Sequence, residues 1–227
     1  MVNEHLNATL LGLKGIPSLA ESLQVARDLY ILEYTGGRLH IPTISTLESV
    51  QLIKQAKKKG LQVSCSVSIN NLTLTDKVLE SFDTNYKLMP PLRTPQDIKA
   101  LKKALTDGTI DMVTSDHNPI DIEHKKIEFD HAKYGSIGLE SCFGALQKVT
   151  NLETAIQALT QQPVFNISQV SIAQGQKANI TLFDPTLQWV FEKEHIISSS
   201  KNAALLGQPL LGRAYGIINN SQVLLHE

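Results

Sequence analysis

The octapeptide Thr114–Asp121, TSDHNPID, sets a carboxylate (Asp116) directly beside an imidazole (His117), just after the apolar-flanked run IDMV. An Asp–His pair at a strand end can hold a metal ion through oxygen and nitrogen, or move a proton between water and a leaving group. The plainer alternative is a turn ahead of Pro119 that Asp116 caps. His40, in GRLHIPTIST, is a second candidate. Neutral imidazole at a strand end binds zinc well when an acceptor orients its other nitrogen. A core histidine satisfied by one hydrogen bond is the ordinary alternative.

The surrounding pattern decides whether such residues can meet. Helical spacing of Leu19, Leu23, Ala26 and Leu29–Tyr30 after Pro17 predicts a helix with an apolar face, ended by Gly36–Gly37. RLHIPTIS and LQVSCSVSI read as strands, separated by the capped helix STLESVQLIKQAKKKG with Val50, Ile53 and Ala56 on one face. TPQDIKALKKALTDG is a second capped amphipathic helix, TIDMVTSD a strand, and GLESCFGALQKV a further helix. Alternation of this kind predicts an α/β fold with a parallel sheet, and sites in such sheets form just beyond the strand C-termini. His40, Asn70–Asn71 and Asp116–His117 all lie in or just after predicted strands. From about Val164 the chain changes to short β-like runs with Gly, Asn and Asp-Pro turns, which predicts a small β module with Trp189 and Phe191 in its core.

Composition narrows the function classes. The chain has 227 residues, with 21 basic and 22 acidic side chains and a formal net charge of −1. No basic field points to nucleic acid or to an anionic membrane. Nothing approaches the roughly 18 apolar residues of a membrane span, and the N-terminus lacks the pattern of a secretory signal. Cys65 and Cys142 lie far apart with no CxxC pair, so thiolate zinc and a disulfide framework are not expected. A reducing, cytoplasmic setting is expected.

Taken together, GLKGIPSLAES…VARDL, TGGRLHIPTIST, DTNYKLMPPLR, TSDHNP, EF…GSIGLES, GQKANITLFDP and SKNAALLGQPLLGR resemble, in order, the dihydroorotases, cyclic amidohydrolases of the pyrimidine pathway. The resemblance covers nearly the whole chain. It implies a zinc-dependent TIM-type (β/α) barrel, partial here (residues 1–163), with a β module (164–227) that forms part of a small composite domain. The family's first strand carries a His-x-His motif, which occurs nowhere in this sequence. Residues 1–163 also fall short of the about 250 of a full barrel. The expectation is the C-terminal half of such a protein, roughly its last four strand–helix units.

Position by position, the resemblance makes His40 a metal ligand and Asp116 a metal ligand that also shuttles the catalytic proton. His117 and Arg93 would contact substrate, although Arg93 also reads as a loop brace. Asn70–Asn71 stand where the family has a histidine pair, Met89 where it has a ring-holding asparagine, and Ile120 where it has a second substrate-contacting histidine. Asn oxygen suits calcium better than zinc, and methionine offers no useful hydrogen bond to an imide. Glu21, Arg27 and Asp28 match the helix after GIP. Arg27 and Asp28, as sequence neighbours, are expected to brace loops rather than each other.

The expectation is therefore a catalytically impaired homologue with structural or partner-binding use, with zinc by resemblance or no metal retained. Half a barrel leaves open strand edges, so a second copy or a complementary barrel half is the expected partner, and a folded monomer is not expected. Aspartate carbamoyltransferase is a further partner by analogy. The competing expectation is an active metal-dependent hydrolase of cyclic amides, interconverting dihydroorotate and carbamoyl-aspartate, whose first half is supplied elsewhere. A Rossmann-type module is disfavoured because no G-x-G-x-x-G or P-loop is present.

Overall fold

The computed structural model describes residues 1–160 and 172–225. The expected boundary at 163/164, and the start of the predicted β module, lie outside the described residues. Strand β1 (Val2–Asn3) pairs in parallel with β2 (Gly15–Ile16), with helix α1 (Leu6–Leu10) between them. Helix α2 (Ser18–Thr35) leads to β3 (Leu39–Ile41), α3 (Leu47–Lys58) to β4 (Val63–Ser68), and α4 (Ile69–Thr73) with α5 (Pro95–Thr106) to β5 (Met112–Thr114). The last three strands form one parallel sheet in the order β3–β4–β5.

Local chemistry explains the helix starts. Thr46 caps α3 by accepting from the Ser49 amide. Thr94 and Asp97 close a reciprocal capping box on α5, with Pro95 at its first turn, where a missing N–H costs nothing. The sheet's outer side is apolar: Cys65 and Val67 of β4 are fully buried in the same core as Ile53 of α3 and Leu101 of α5.

Helix α2 forms as predicted, but of the expected stripe only Leu29 is buried. Its buried residues are Ser22, Val25, Leu29 and Leu32, while Leu19, Leu23 and Tyr30 are 58%, 60% and 72% exposed. The helix has more apolar residues than one face accommodates, and the stripe that packs on α3 runs through Val25 and Leu29. Arg27 and Asp28 also differ from expectation. They pair with each other at the surface, at 2.8–2.9 Å, because the long arginine arm folds back onto its neighbour.

Beyond β5, a loop leads to α6 (Cys142–Val149) and α7 (Leu152–Thr160). Strands β6 (Ala178–Val190), β7 (Pro209–Asn220) and β8 (Gln222–Leu225) make an antiparallel sheet that packs on α6. Gly144 permits this contact, since a Cβ there would lie 3.0 Å from both Gly212 O and Leu210 Cβ. Phe191 is fully buried, but in the core shared with the α/β layer, and Trp189 stands edge-on to it at 6.0 Å. Among the described residues no helix is long and apolar enough to cross a membrane.

Candidate functional site

The inner face of β4 organises the candidate residues. Side chains alternate along a strand, so Ser64, Ser66 and Ser68 share the face opposite Cys65 and Val67. Each serine holds one candidate segment. Ser64 Oγ bonds His40 Nδ1 at 2.9 Å, Ser66 Oγ accepts from the Thr43 amide at 3.0 Å, and Ser68 lies close enough to the Asp116 carboxyl to lower its pKa. LQVSCSVSI forms a strand, as its sequence predicts. Its serine at every second position was the available sign of a polar face.

His40 and Asp116 meet different positions of β4: His40 pairs in register with Ser64, and Thr114, two residues before Asp116, with Ser68. Burial lowers the His40 pKa, partly opposed by Asp111. Burial raises the Asp116 carboxyl above its ordinary value, against the hydrogen bond with Ser68 that lowers it. Asp116 also takes a left-handed backbone, φ 48°, as does Thr43, φ 46°. For non-glycine residues this conformation costs about 1–2 kcal/mol and is held in place by the surrounding structure.

Asn70 and Asn71 follow β4 within α4 and are both buried. Asn71 donates to Pro91 O at 2.9 Å, which is structural bracing. Neither end of the Asn70 side-chain amide has a hydrogen-bond partner among the described residues, and the Thr114 hydroxyl, Ser141 hydroxyl and Glu140 Oε2 are in the same condition. Met89 is 47% exposed. The backbone of Ile120 is clamped: its N–H donates to Asn202 Oδ1 and its carbonyl accepts from Ser200. Asn202, missed in the sequence, is buried and also donates to Asn118 O and Gly135 O, so it fixes the loop that carries His117.

Arg93 is 2% exposed, and its guanidinium is committed to the protein. It donates to Ser45 Oγ at 3.0 Å, Asn3 Oδ1 at 2.8 Å and Ile16 O at 3.0 Å, and lies 3.7 Å from Glu21. Glu21 in turn accepts from the Ser45 and Thr46 amides and both hydroxyls. Burial lowers the Arg93 pKa, and Glu21 is the first of the carboxylates that oppose this. The network ties β1, β2, α2 and α3 together at the loop end of the sheet.

His117 is half-buried, and its Nδ1 accepts from the Gly138 and Leu139 amides at 3.2 and 3.4 Å. Nearby, Glu140 Oε1 accepts from the Ser198 amide and hydroxyl. Burial pushes the Glu140 carboxyl up, but the Ser198 bonds outweigh it and hold it below its ordinary value, with His117 adding to the effect.

A zinc centre needs three or four converging N, S or O donors. Among the described residues no three His, Cys, Asp or Glu side chains are grouped to hold a metal ion, so the residues present do not fit a self-contained centre. What the strand ends do offer is hydroxyl and amide hydrogen bonding, one desolvated carboxyl and one oriented imidazole.

No family model matches the chain. It is 38% identical over 231 residues to a dihydroorotase of Geotalea daltonii, covering 98% of this chain and 54% of that protein. It is 39% identical over 223 residues to a dihydroorotase of Endomicrobium trichonymphae, covering 94% and 53%. The fold matches an L-hydantoinase (dihydropyrimidinase) from Arthrobacter aurescens with TM-score 0.83 at 22% identity, over 92% of this chain and 49% of that one. It also matches the inactive dihydroorotase-like domain of a Chaetomium thermophilum CAD-like multifunctional protein, with TM-score 0.66 at 21% identity, over 88% and 54%. The α/β architecture is thus part of a TIM-type (β/α) barrel fold. The chain is a dihydroorotase homologue that spans about half the length of the curated relatives it matches.

Proposed function

We propose that the chain works within pyrimidine biosynthesis as a dihydroorotase-type homologue that has lost ring-opening catalysis and serves a structural or partner-binding role. One observation supports this reading: among the described residues no three His, Cys, Asp or Glu side chains, His40 and Asp116 included, are grouped to hold a metal ion. The surrounding positions agree with it. Asn71 is bonded to Pro91, the Arg93 donors are committed within the protein, and Met89 and Ile120 offer no side-chain hydrogen bond to a ring substrate. The partner proposed is a second copy or a complementary barrel half that covers the open strand edges. Aspartate carbamoyltransferase is a further candidate by analogy.

The second reading, an active zinc-dependent cyclic amidohydrolase completed from outside this chain, is favoured by Asp116 alone. Its carboxyl is desolvated, oriented by Ser68 and held in a left-handed backbone. An assay of dihydroorotate and carbamoyl-aspartate interconversion with zinc supplied separates the two. The proposed reading predicts no turnover above the zinc-only background. Turnover that disappears in Asp116→Asn would establish the second.

A further inference from the structure

The outward face of α2 carries large apolar side chains that the fold leaves uncovered. Leu19, Leu23 and Tyr30 are exposed, and Tyr34 is 92% exposed. At about 100° per residue these four fall within about 60° of one another, in one stripe roughly 22 Å long. A groove between α2 and α3 is lined by Ala26, Tyr30, Glu33, Leu52, Gln55 and Lys59. Lys59 bonds Glu33 at 3.1 Å, so α3 lies along one flank of the stripe. The other flank of α2 carries Ala20, Gln24, Asp28 and Ile31, and there the next helix of a completed barrel would pack. The stripe faces neither the core nor that position.

We infer that this stripe is an interface between two copies of the chain, with their α2 helices packed antiparallel about a two-fold axis. The positions suit that symmetry. Leu19 and Tyr34 lie equally far from the midpoint between Ala26 and Arg27, and so do Leu23 and Tyr30. Pairing about that midpoint sets Leu19 against the partner's Tyr34 and Leu23 against the partner's Tyr30, each contact occurring twice. Every aromatic ring then meets an aliphatic side chain, and the small Ala26 sits at the closest approach of the helices. Arg27, beside the axis, is already paired with Asp28 at 2.8–2.9 Å, so unpaired like charges do not meet there.

By their fractional exposure the four side chains offer roughly 500 Å², at the upper end of apolar patches on single chains. Two copies then bury about 1,000 Å², the lower bound of a specific interface. The contact is of the transient kind, formed at high chain concentration, and melts of the dilute chain report on the monomer. It needs neither the loss of catalysis proposed above nor the open strand edges.

Sedimentation equilibrium of the full chain over a concentration series tests this, with Leu23→Lys, Tyr30→Glu and an equimolar mixture of the two. The wild type should double its mass as concentration rises. Each variant alone should weaken that step by at least about a hundredfold, since symmetry counts the change twice. Both positions are exposed, so the far-ultraviolet circular dichroism of each variant should match the wild type. The mixture should regain the doubled mass. In it the introduced ammonium of one variant faces the introduced carboxylate of the other, and the second contact keeps Leu23 against Tyr30.

Doubling that is unchanged in both variants overturns the α2 interface and leaves association through the strand edges standing. A wild type that stays at single-chain mass overturns it as well, and leaves the stripe to a different protein. Two weakened variants whose mixture does not pair overturn the two-fold arrangement, and the inference with it.

Discussion

Asp116 and Arg93 are both polar and both sequestered, but they behave oppositely. Burial raises the Asp116 carboxyl from its ordinary 3.8, so just above that pH the folded chain holds a proton that the unfolded chain has released. Stability therefore falls as pH rises from 3.8 to the raised native value, and is constant above it. Asp116→Asn removes this loss. Its melting temperature relative to wild type should climb across that window and then level off, and a relative melting temperature that drops there would contradict the assignment. Arg93 is instead fully partnered. Arg93→Ala leaves Glu21 uncompensated and breaks the links to Ser45, Asn3 and Ile16. It should cost about 3–5 kcal/mol by urea denaturation. Arg93→Lys should recover little of this, because an ammonium cannot reproduce the planar fork.

The helices and strands were the most legible level of the sequence, because their signals are local. The Thr94–Asp97 capping box was readable from TPQD, and Thr94→Ala should cost about 1 kcal/mol of stability. Helix α2 was readable as a helix but not in its orientation, since periodicity shows that an apolar stripe exists and not which of two stripes finds a partner. Leu29→Ala should therefore cost about 2–5 kcal/mol, and Leu23→Ala within about 0.5 kcal/mol, in thermal or chemical melts. Similar losses at both positions would mean that α2 is covered on both sides. The serine face of β4 was legible by its period of two. Other features were not, because they depend on long-range closure: Arg93 meets Asn3 across 90 residues, and Asn202 meets Asn118 across 84. Likewise, motif order placed His40 and Asp116 in one inherited site, but only strand register shows that His40 lies level with Ser64 of β4 while Thr114, two residues before Asp116, lies level with Ser68.

Across the whole molecule, β3 and β5 are the outer strands of a three-stranded parallel sheet, and parallel sheets are stable when covered on both faces. Association is the expected outcome in light scattering, and a sharp monomer peak with a cooperative melt would contradict it. The same geometry bears on the proposed loss of catalysis, since among the described residues no three His, Cys, Asp or Glu side chains are grouped to hold a metal ion. The most direct test of that claim is the zinc content per chain after purification without chelator, with Asp116→Asn and His40→Asn alongside. The account predicts zinc well below one ion per chain and no change in either variant. Near-stoichiometric zinc that falls in both variants would contradict it, placing His40 and Asp116 around a common ion.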